Sequence, residues 1–108
     1  MMGEYGETES ERFRTPTIEQ GAKGRRGELG LILRAPRTEA LLWDLESEVA
    51  SARRLWMEDR QGWWIDGSYL ETVIALVLRN YPSVLVLGTD EDRLLSRDGT
   101  WALQGRLL

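Results

Sequence analysis

The 108-residue chain contains no cysteine and no histidine. Without cysteine it has no disulfide and no thiolate chemistry, and without histidine it lacks the commonest general base and the commonest metal ligand. It also has no apolar run long enough to span a membrane, and the start MMGEYGETESE is acidic where a leader peptide would be basic. These absences argue against an enzyme and predict a soluble, cytoplasmic protein.

Lysine is nearly absent, and the formal net charge of −4 is unevenly distributed. Residues 1–11 carry four glutamates and no cation, whereas residues 12–27 carry five cations and one glutamate. Few large apolar side chains occur before residue 28, so this segment cannot bury enough surface to offset its chain entropy. We therefore predict a flexible tail over 1–27, acidic and then basic, followed by a single domain over 28–108.

The domain begins with a pattern typical of a strand followed by a helix. The apolar run LGLILRA at 29–35 predicts a strand. From Thr38 to about Arg53 the apolar residues recur at helical spacing, which predicts an amphipathic helix. The stripe consists of Leu41, Leu42, Leu45, Val49 and Ala52.

Two short aromatic runs come next, RRLWM and GWWID, joined by the polar EDRQ. A polar loop of this length beside a glycine is a hairpin signal. Ser68 with Glu71 three residues later is a capping box, which predicts the start of a second helix that ends before Pro82. The run SVLVLG at 83–88 then has the length of a strand.

The predicted order β-α-β-β-α-β is that of the ferredoxin-like sandwich, which RNA-recognition motifs share. It implies an α+β domain with a four-stranded antiparallel sheet and both helices on one face. The remaining residues, TDEDRLLSRDGTWALQGRLL, predict a helical turn at 90–96 and a further strand at 100–107. That strand would add to a sheet edge or cover the open face.

The acidic residues give no pattern of a catalytic or metal site. The triplet at 90–92 lacks the spacing that converges on one cation, and acids at a helix N-terminus explain it better. Nothing brings a carboxylate pair together, and no base is available to activate Ser68. We therefore predict no catalytic residue, no cofactor, no metal and no small-molecule substrate.

The tryptophans are the candidates for binding. Neighbouring residues of a strand point to opposite faces, so Trp63 and Trp64 cannot both enter the helix-side core. One indole therefore belongs to the open face of the sheet, where a bare apolar patch is unusual for a monomer. It would be covered by Trp101, Leu103 and Leu107 of the C-terminal segment, by a protein, or by a nucleic-acid base.

The segment ARRLWMEDRQGWWIDGSYLETVIALVLRNYPSVLVLG resembles the aromatic hairpin, helix and strand of HARP-type domains and of related small modules in phage and virus proteins. Arg53, Arg54 and Trp56 match the first limb of that motif, and Trp63 or Trp64 matches the second. The chain departs from it at Met57-Glu58, where such modules often have an Asp-Pro type turn. HARP domains accompany annealing helicases, so the resemblance implies a nucleic-acid-processing setting, without any helicase in this chain.

Two functional hypotheses follow. The first is a non-enzymatic interaction module that docks a protein partner or its own copy through the tryptophan-bearing sheet face. Such a module would be a viral protein that acts inside a host cell. The second is direct binding of single-stranded nucleic acid, by aromatic stacking and arginine contacts to phosphate. The candidate residues are Trp56, Trp63, Trp64, Arg53, Arg54, Arg60, Lys23, Arg25 and Arg26.

Overall fold

The computed structural model describes residues 15–88 and 91–97 and the backbone of residues 101–103. Within them a seven-stranded mixed sheet carries two helices. The strands are β1 (Thr17–Lys23), β2 (Leu29–Arg34), β3 (Arg54–Met57), β4 (Gly62–Asp66), β5 (Ser83–Leu87), β6 (Asp92–Ser96) and β7 (Trp101–Leu103). The helices are α1 (Glu39–Glu48) and α2 (Leu70–Asn80), and short 3-10 turns span Ser51–Arg53 and Gly67–Tyr69.

The strands lie in the order β3-β4-β2-β1-β5-β6-β7. All neighbours pair antiparallel except β1 and β5, which are parallel. The α+β class is confirmed, but the sheet is larger than the predicted four antiparallel strands. A βαββαβ unit pairs its first strand with its last, whereas here β1 lies between β2 and β5. On the far side of β5, β6 and β7 extend the sheet.

β1 requires a correction of the predicted tail, because residues 17–23 form a strand near the centre of the sheet. Ile18 is fully buried in the helix-side core, and Ala22 is buried on the opposite face. Glu19 is polar but forms an ion pair with Arg34 of the neighbouring strand. The domain therefore begins before residue 28. Residues 1–14 of the predicted tail lie outside the described residues.

The main core lies between the helices and one face of the sheet, so both helices occupy the same face as predicted. It consists of Ile18, Leu31, Leu33, Leu41, Leu45, Val49, Ile65, Val73, Leu76, Val77, Val84 and Val86. Burial of this set is the principal source of stability, at about 25 cal/mol per Å² of apolar surface. The other face of the sheet carries no helix among the described residues, and we call it the open face.

α1 is shorter than predicted. The Thr38 hydroxyl caps its first turn by accepting from the Leu41 N–H, with an N–O distance of 3.1 Å. The helix ends at Glu48, and Val49 is already extended. The last turn of the predicted stripe is a 3-10 turn in which Ala52 is exposed.

α2 begins differently from the prediction. Asp66, and not Ser68, supplies the cap: its carboxylate accepts from both the backbone N–H (2.9 Å) and the hydroxyl (2.8 Å) of Ser68. A 3-10 turn separates this cap from the α-helix, whose own first residue is Leu70. The predicted capping box is therefore wrong, because an acceptor two residues earlier already satisfies the Ser68 donors.

The C-terminal segment also differs. β6 occupies 92–96, where a helical turn was predicted, and pairs Leu94 with Leu85 of β5. The apolar edge of β5 favours pairing over an isolated short helix. Of the strand predicted at 100–107, residues 101–103 form β7 at the sheet edge beyond β6. Residues 104–107 and Asp90 lie outside the described part of the chain.

Candidate interaction surface

The two adjacent tryptophans of β4 lie on opposite faces of the sheet, as the alternation rule predicts. Trp63 packs against the helix-side core and is half-buried. Trp64 lies on the open face, where Ala22, Ile32 and Trp64 are buried together. Leu55 and Met57 pack against this second cluster and remain half-buried.

The open-face indole is covered by the chain itself. Trp64 is only 4% exposed, and its indole N–H donates to the Ala22 carbonyl oxygen over 3.1 Å. The ring lies directly on Gly30, where an added Cβ would approach the indole nitrogen to 2.6 Å. It also contacts Gly24 of the β1–β2 turn. Trp64 is thus a structural residue, and a base cannot stack on it.

Among the described residues, the β1–β2 hairpin covers this indole, whereas the C-terminal segment that the sequence offered as one alternative lies mostly outside the description. β7 lies beyond β6 at the sheet edge, far in strand order from β4. The side chains of Trp101 and Leu103, and all of Leu107, lie outside the description. The predicted alternative of an indole awaiting a partner on the open face is therefore wrong for Trp64.

Trp56 lies on the helix side of β3 and is half-exposed. Its ring meets that of Trp63 edge-on, with centroids 5.6 Å apart and planes at 71°. The guanidinium carbon of Arg37 lies 4.4 Å from the Trp56 ring centroid, which is a cation–π geometry. The indole N–H donates to the Glu58 carboxylate over 2.9 Å. Trp56 is therefore held by three neighbours and keeps a part of its surface free.

The Trp56 indole also affects the ionisation of Glu58 in the β3–β4 turn. Its hydrogen bond, followed by that from the Gln61 amide, lowers the pKa of Glu58 below its ordinary value. Gln61 has a positive φ of 52° and closes the β3–β4 turn. Glu58 and Asp59 are exposed residues of this turn.

The predicted arginines of the hairpin each have an intramolecular contact. Arg53 forms an ion pair with Asp66 at 3.2 Å, and the Arg54 side chain donates to the Val49 carbonyl at 3.0 Å. Arg60 approaches Glu19 at 3.8 Å, and its carbonyl accepts from Arg34. Hydrogen bonds to Ser68 and the ion pair with Arg53 lower the pKa of Asp66.

The basic residues of the predicted tail lie at the β1–β2 turn. Lys23, Arg25 and Arg26 are exposed there, and among the described residues their side chains form no ion pair. The sheet register places this turn at the same end as Arg53, since Gly30 pairs with Asp66. Arg60 lies at the opposite end, in the β3–β4 turn. The structure thus separates the predicted binding residues into two groups.

One exposed aromatic residue was missed in the sequence. Trp43 of α1 is 72% exposed, and among the described residues it makes no hydrogen bond or ring contact. The signal was present, because Trp43 lies midway between Leu41 and Leu45 of the buried stripe. A residue at that spacing points away from the core.

The neighbours of Trp43 leave its indole projecting. Ala40 and Ser47, at positions i−3 and i+4, are small and exposed. Glu39 and Glu46, at i−4 and i+3, are also exposed. We call these five residues the Trp43 surface. It presents one exposed indole beside two small side chains and two carboxylates.

The described residues contain no group of three or more side chains suited to hold a metal ion. No helix among them has the length and apolar character needed to cross a membrane. No protein-family model, curated protein or solved structure matches the chain. The resemblance to HARP-type domains stays a prediction.

Proposed function

We propose that the chain is a non-enzymatic interaction module that docks a protein partner through the Trp43 surface. The observation that carries the proposal is the 72% exposure of a tryptophan on a regular, well-anchored helix. The proposed docking face lies on α1 and not on the open face of the sheet, because the Trp64 indole on that face is already buried. A nucleic-acid-processing setting, viral in origin, remains part of the proposal through the family resemblance.

Burial of the Trp43 indole is large enough to anchor a complex. A tryptophan side chain buries about 150–250 Å² at an interface, and at about 25 cal/mol per Å² its exposed part contributes roughly 3 kcal/mol. Residues with an effect of this size are binding hot spots. The carboxylates of Glu39 and Glu46 favour a partner whose apolar pocket has a basic rim.

The test compares Trp43→Ala with Leu29→Ala, since Leu29 is another large apolar side chain, 64% exposed, at a different place. A partner is identified by cross-linking the full chain in its source cell, and its affinity for each purified variant is then measured. We expect Trp43→Ala to weaken binding about 30-fold or more and Leu29→Ala to leave it unchanged. Equal affinities for the two variants would refute the proposal.

A second candidate function is contact with nucleic-acid phosphates at the β1–β2 turn. The observation that favours it is the group of exposed cations, Lys23, Arg25 and Arg26, without ion pairs among the described residues, at the same end as Arg53. Of the two tryptophans proposed for base stacking, Trp56 and Trp64, Trp56 keeps an exposed ring surface, and its ring must first release Arg37. The net charge of −4 opposes the attraction over longer distances.

A labelled single-stranded oligonucleotide, titrated at low and at moderate salt, tests this candidate. Binding should weaken steeply with salt and with Arg25→Glu. The matched control is Arg97→Glu, an exposed cation whose side chain lies against the end of α2. Absence of binding at low salt, or equal loss with both variants, would eliminate phosphate contact at this turn.

A further inference from the structure

β3 is the last strand on its side of the described sheet. One side of its backbone pairs with β4, and on the other side the described residues provide no strand. An edge strand of this kind accepts a further strand unless it is blocked by proline, lysine or a bulge. Arg54–Met57 has no proline, no lysine and no bulge, although it is only four residues long and carries the charge of Arg54.

The edge strand and its flanking residues, RRLWMED from Arg53 to Asp59, form a self-complementary sequence in which Arg53 ends a 3-10 turn and Glu58 and Asp59 begin the β3–β4 turn. Two arginines precede the apolar centre and two acids follow it. Leu55 and Met57 stand symmetrically about Trp56. A strand of this composition fits a second copy of itself that runs in the opposite direction.

We propose that two copies of the chain pair antiparallel through β3, about a twofold axis that passes Trp56. Arg53, which also pairs with Asp66 of its own chain, then faces Asp59 of the second copy, and Arg54, whose side chain donates to the Val49 carbonyl, faces Glu58 of the second copy. The two sheets become one continuous sheet, with both helical layers on the same side. This inference shares the interaction role proposed above but uses a surface distinct from Trp43, so separate variants test the two.

The open face gains apolar contact from this pairing. Leu55 faces Met57 of the second copy, and both side chains are half-buried on the face that holds Trp64. Directly opposed side chains on adjacent strands lie within contact distance. The two small clusters of the open face are thereby joined across the twofold axis.

Charge fixes the direction and register of the pair. In a parallel arrangement the arginines would lie beside arginines and the acids beside acids. A slip of two residues toward the turn places Arg54 opposite Arg60 of the second copy, and a slip the other way removes the ionic pairs. Exposed ion pairs add little affinity but discriminate between arrangements. The short edge predicts a weak, concentration-dependent dimer.

Sedimentation equilibrium of the full chain at about 0.01–1 mM tests the proposal. Asp59→Arg, at an exposed turn residue, should weaken the dimer at least about tenfold, because the introduced guanidinium would face Arg53 of the second copy. The double variant Asp59→Arg/Arg53→Glu should restore it by exchanging the charges. Glu71→Arg, an exposed acid on α2, is the matched control and should have no effect.

A cross-link checks the register, because the native chain has no cysteine. Oxidation of Leu55→Cys mixed with Met57→Cys should give mainly the mixed disulfide, whereas Leu29→Cys should stay monomeric. A wild-type monomer throughout the concentration range, or a dimer that Asp59→Arg leaves intact, would overturn the proposal. Trp43→Ala should leave the dimer unchanged, so failure of the Trp43 proposal is recognised separately.

Discussion

Trp64 and Gly30 form one structural unit at the scale of single residues. The indole lies flat across the glycine because no Cβ stands in its way, and its N–H reaches the Ala22 carbonyl of the strand beyond. Stacking of an aromatic ring on a strand glycine compensates for the missing side chain. The unit closes the open face of the sheet without help from another molecule.

We expect Trp64→Ala to lower the free energy of unfolding by about 3–5 kcal/mol, since it empties a buried site. Trp64→Phe should cost less, because it keeps most of the apolar volume but leaves the Ala22 carbonyl without its donor. Urea denaturation measures both. Trp43→Ala is the control, and a loss comparable to that of Trp64→Ala would contradict the assigned burial.

Gly30→Ala tests the same unit from the other side. An added Cβ would meet the Ile65 carbonyl oxygen and the Trp64 ring, neither of which can retreat within the sheet. We expect a loss of about 1–3 kcal/mol in urea denaturation. Gly27→Asn is the matched control: Gly27 has a positive φ of 86°, which asparagine tolerates, and open space around it. Equal losses would show that the close approach is not what matters.

The tryptophans show how far residue-level reasoning extends. Alternation along β4 predicted that Trp63 and Trp64 face opposite sides, and this is confirmed. It could not predict which indole is covered, because the cover comes from a glycine-containing turn distant in sequence. Trp43 could have been found from its position off the leucine stripe, since helical spacing alone places it outward.

β1 is the element on which the sheet depends. Ile18 points into the helix-side core, and the next residue, Glu19, points to the open face and forms an ion pair with Arg34. The bulge at Gly21 then turns Ala22 to the open face as well. Only two of its residues are buried and apolar. The surrounding strands supply the rest of the apolar environment, so the sequence of β1 alone resembles a polar tail.

Ile18→Ala should lower the free energy of unfolding by about 2–5 kcal/mol, because the side chain is fully buried in the main core. A tail residue would cost almost nothing. Thr17→Ala, one position away and half-buried on the opposite face, is the control and should cost less than about 1 kcal/mol. Thermal denaturation followed by circular dichroism distinguishes the two outcomes.

The start of α2 makes a pH-dependent contribution. Asp66→Ala should cost about 1 kcal/mol at neutral pH, since it removes the acceptor of the Ser68 donors. The folded state lowers the pKa of Asp66, so this stability is fully present above the ordinary value of 3.8. It is lost as the pH falls from there through the lower pKa of the folded protein. Unfolding measured from pH 7 to pH 2 should therefore show the difference narrowing, and a difference that stays constant over this range would contradict the assigned role of the Asp66 carboxylate.

The elements that were predicted correctly are those whose own apolar pattern indicates which side chains are buried. α1 and α2 have apolar residues at helical spacing, and β2 and β5 are apolar runs. The region of β6 was predicted as a helical turn from a local capping pattern in the residues that precede it. The segment is a strand because it pairs with Val84 and Leu85 of β5. A local sequence pattern does not show which distant strand is available for pairing.

The whole molecule is organised by one sheet that has a hydrophobic cluster on each face. Ile32 and Trp64 on one side alternate along the same strands with Leu31 and Ile65 on the other. Loss of either cluster exposes the backbone that supports the other, so we expect one cooperative transition. Tryptophan fluorescence and far-ultraviolet circular dichroism should report coincident urea midpoints. Separate midpoints would show that the open-face cluster melts independently.

The parallel pairing of β1 with β5 has a consequence for synthesis of the chain. Ile18 leaves the ribosome before Val86, its partner in the register, and both helices and the aromatic hairpin are synthesised between them. At a synthesis rate of about 5–20 residues per second, β1 is paired only with β2 for several seconds, until β5 has been synthesised. Contacts so distant along the chain also slow folding from the denatured state. A nascent chain stalled before residue 83 therefore holds β1 with one edge unpaired, and an exposed strand edge of this kind is prone to aggregation.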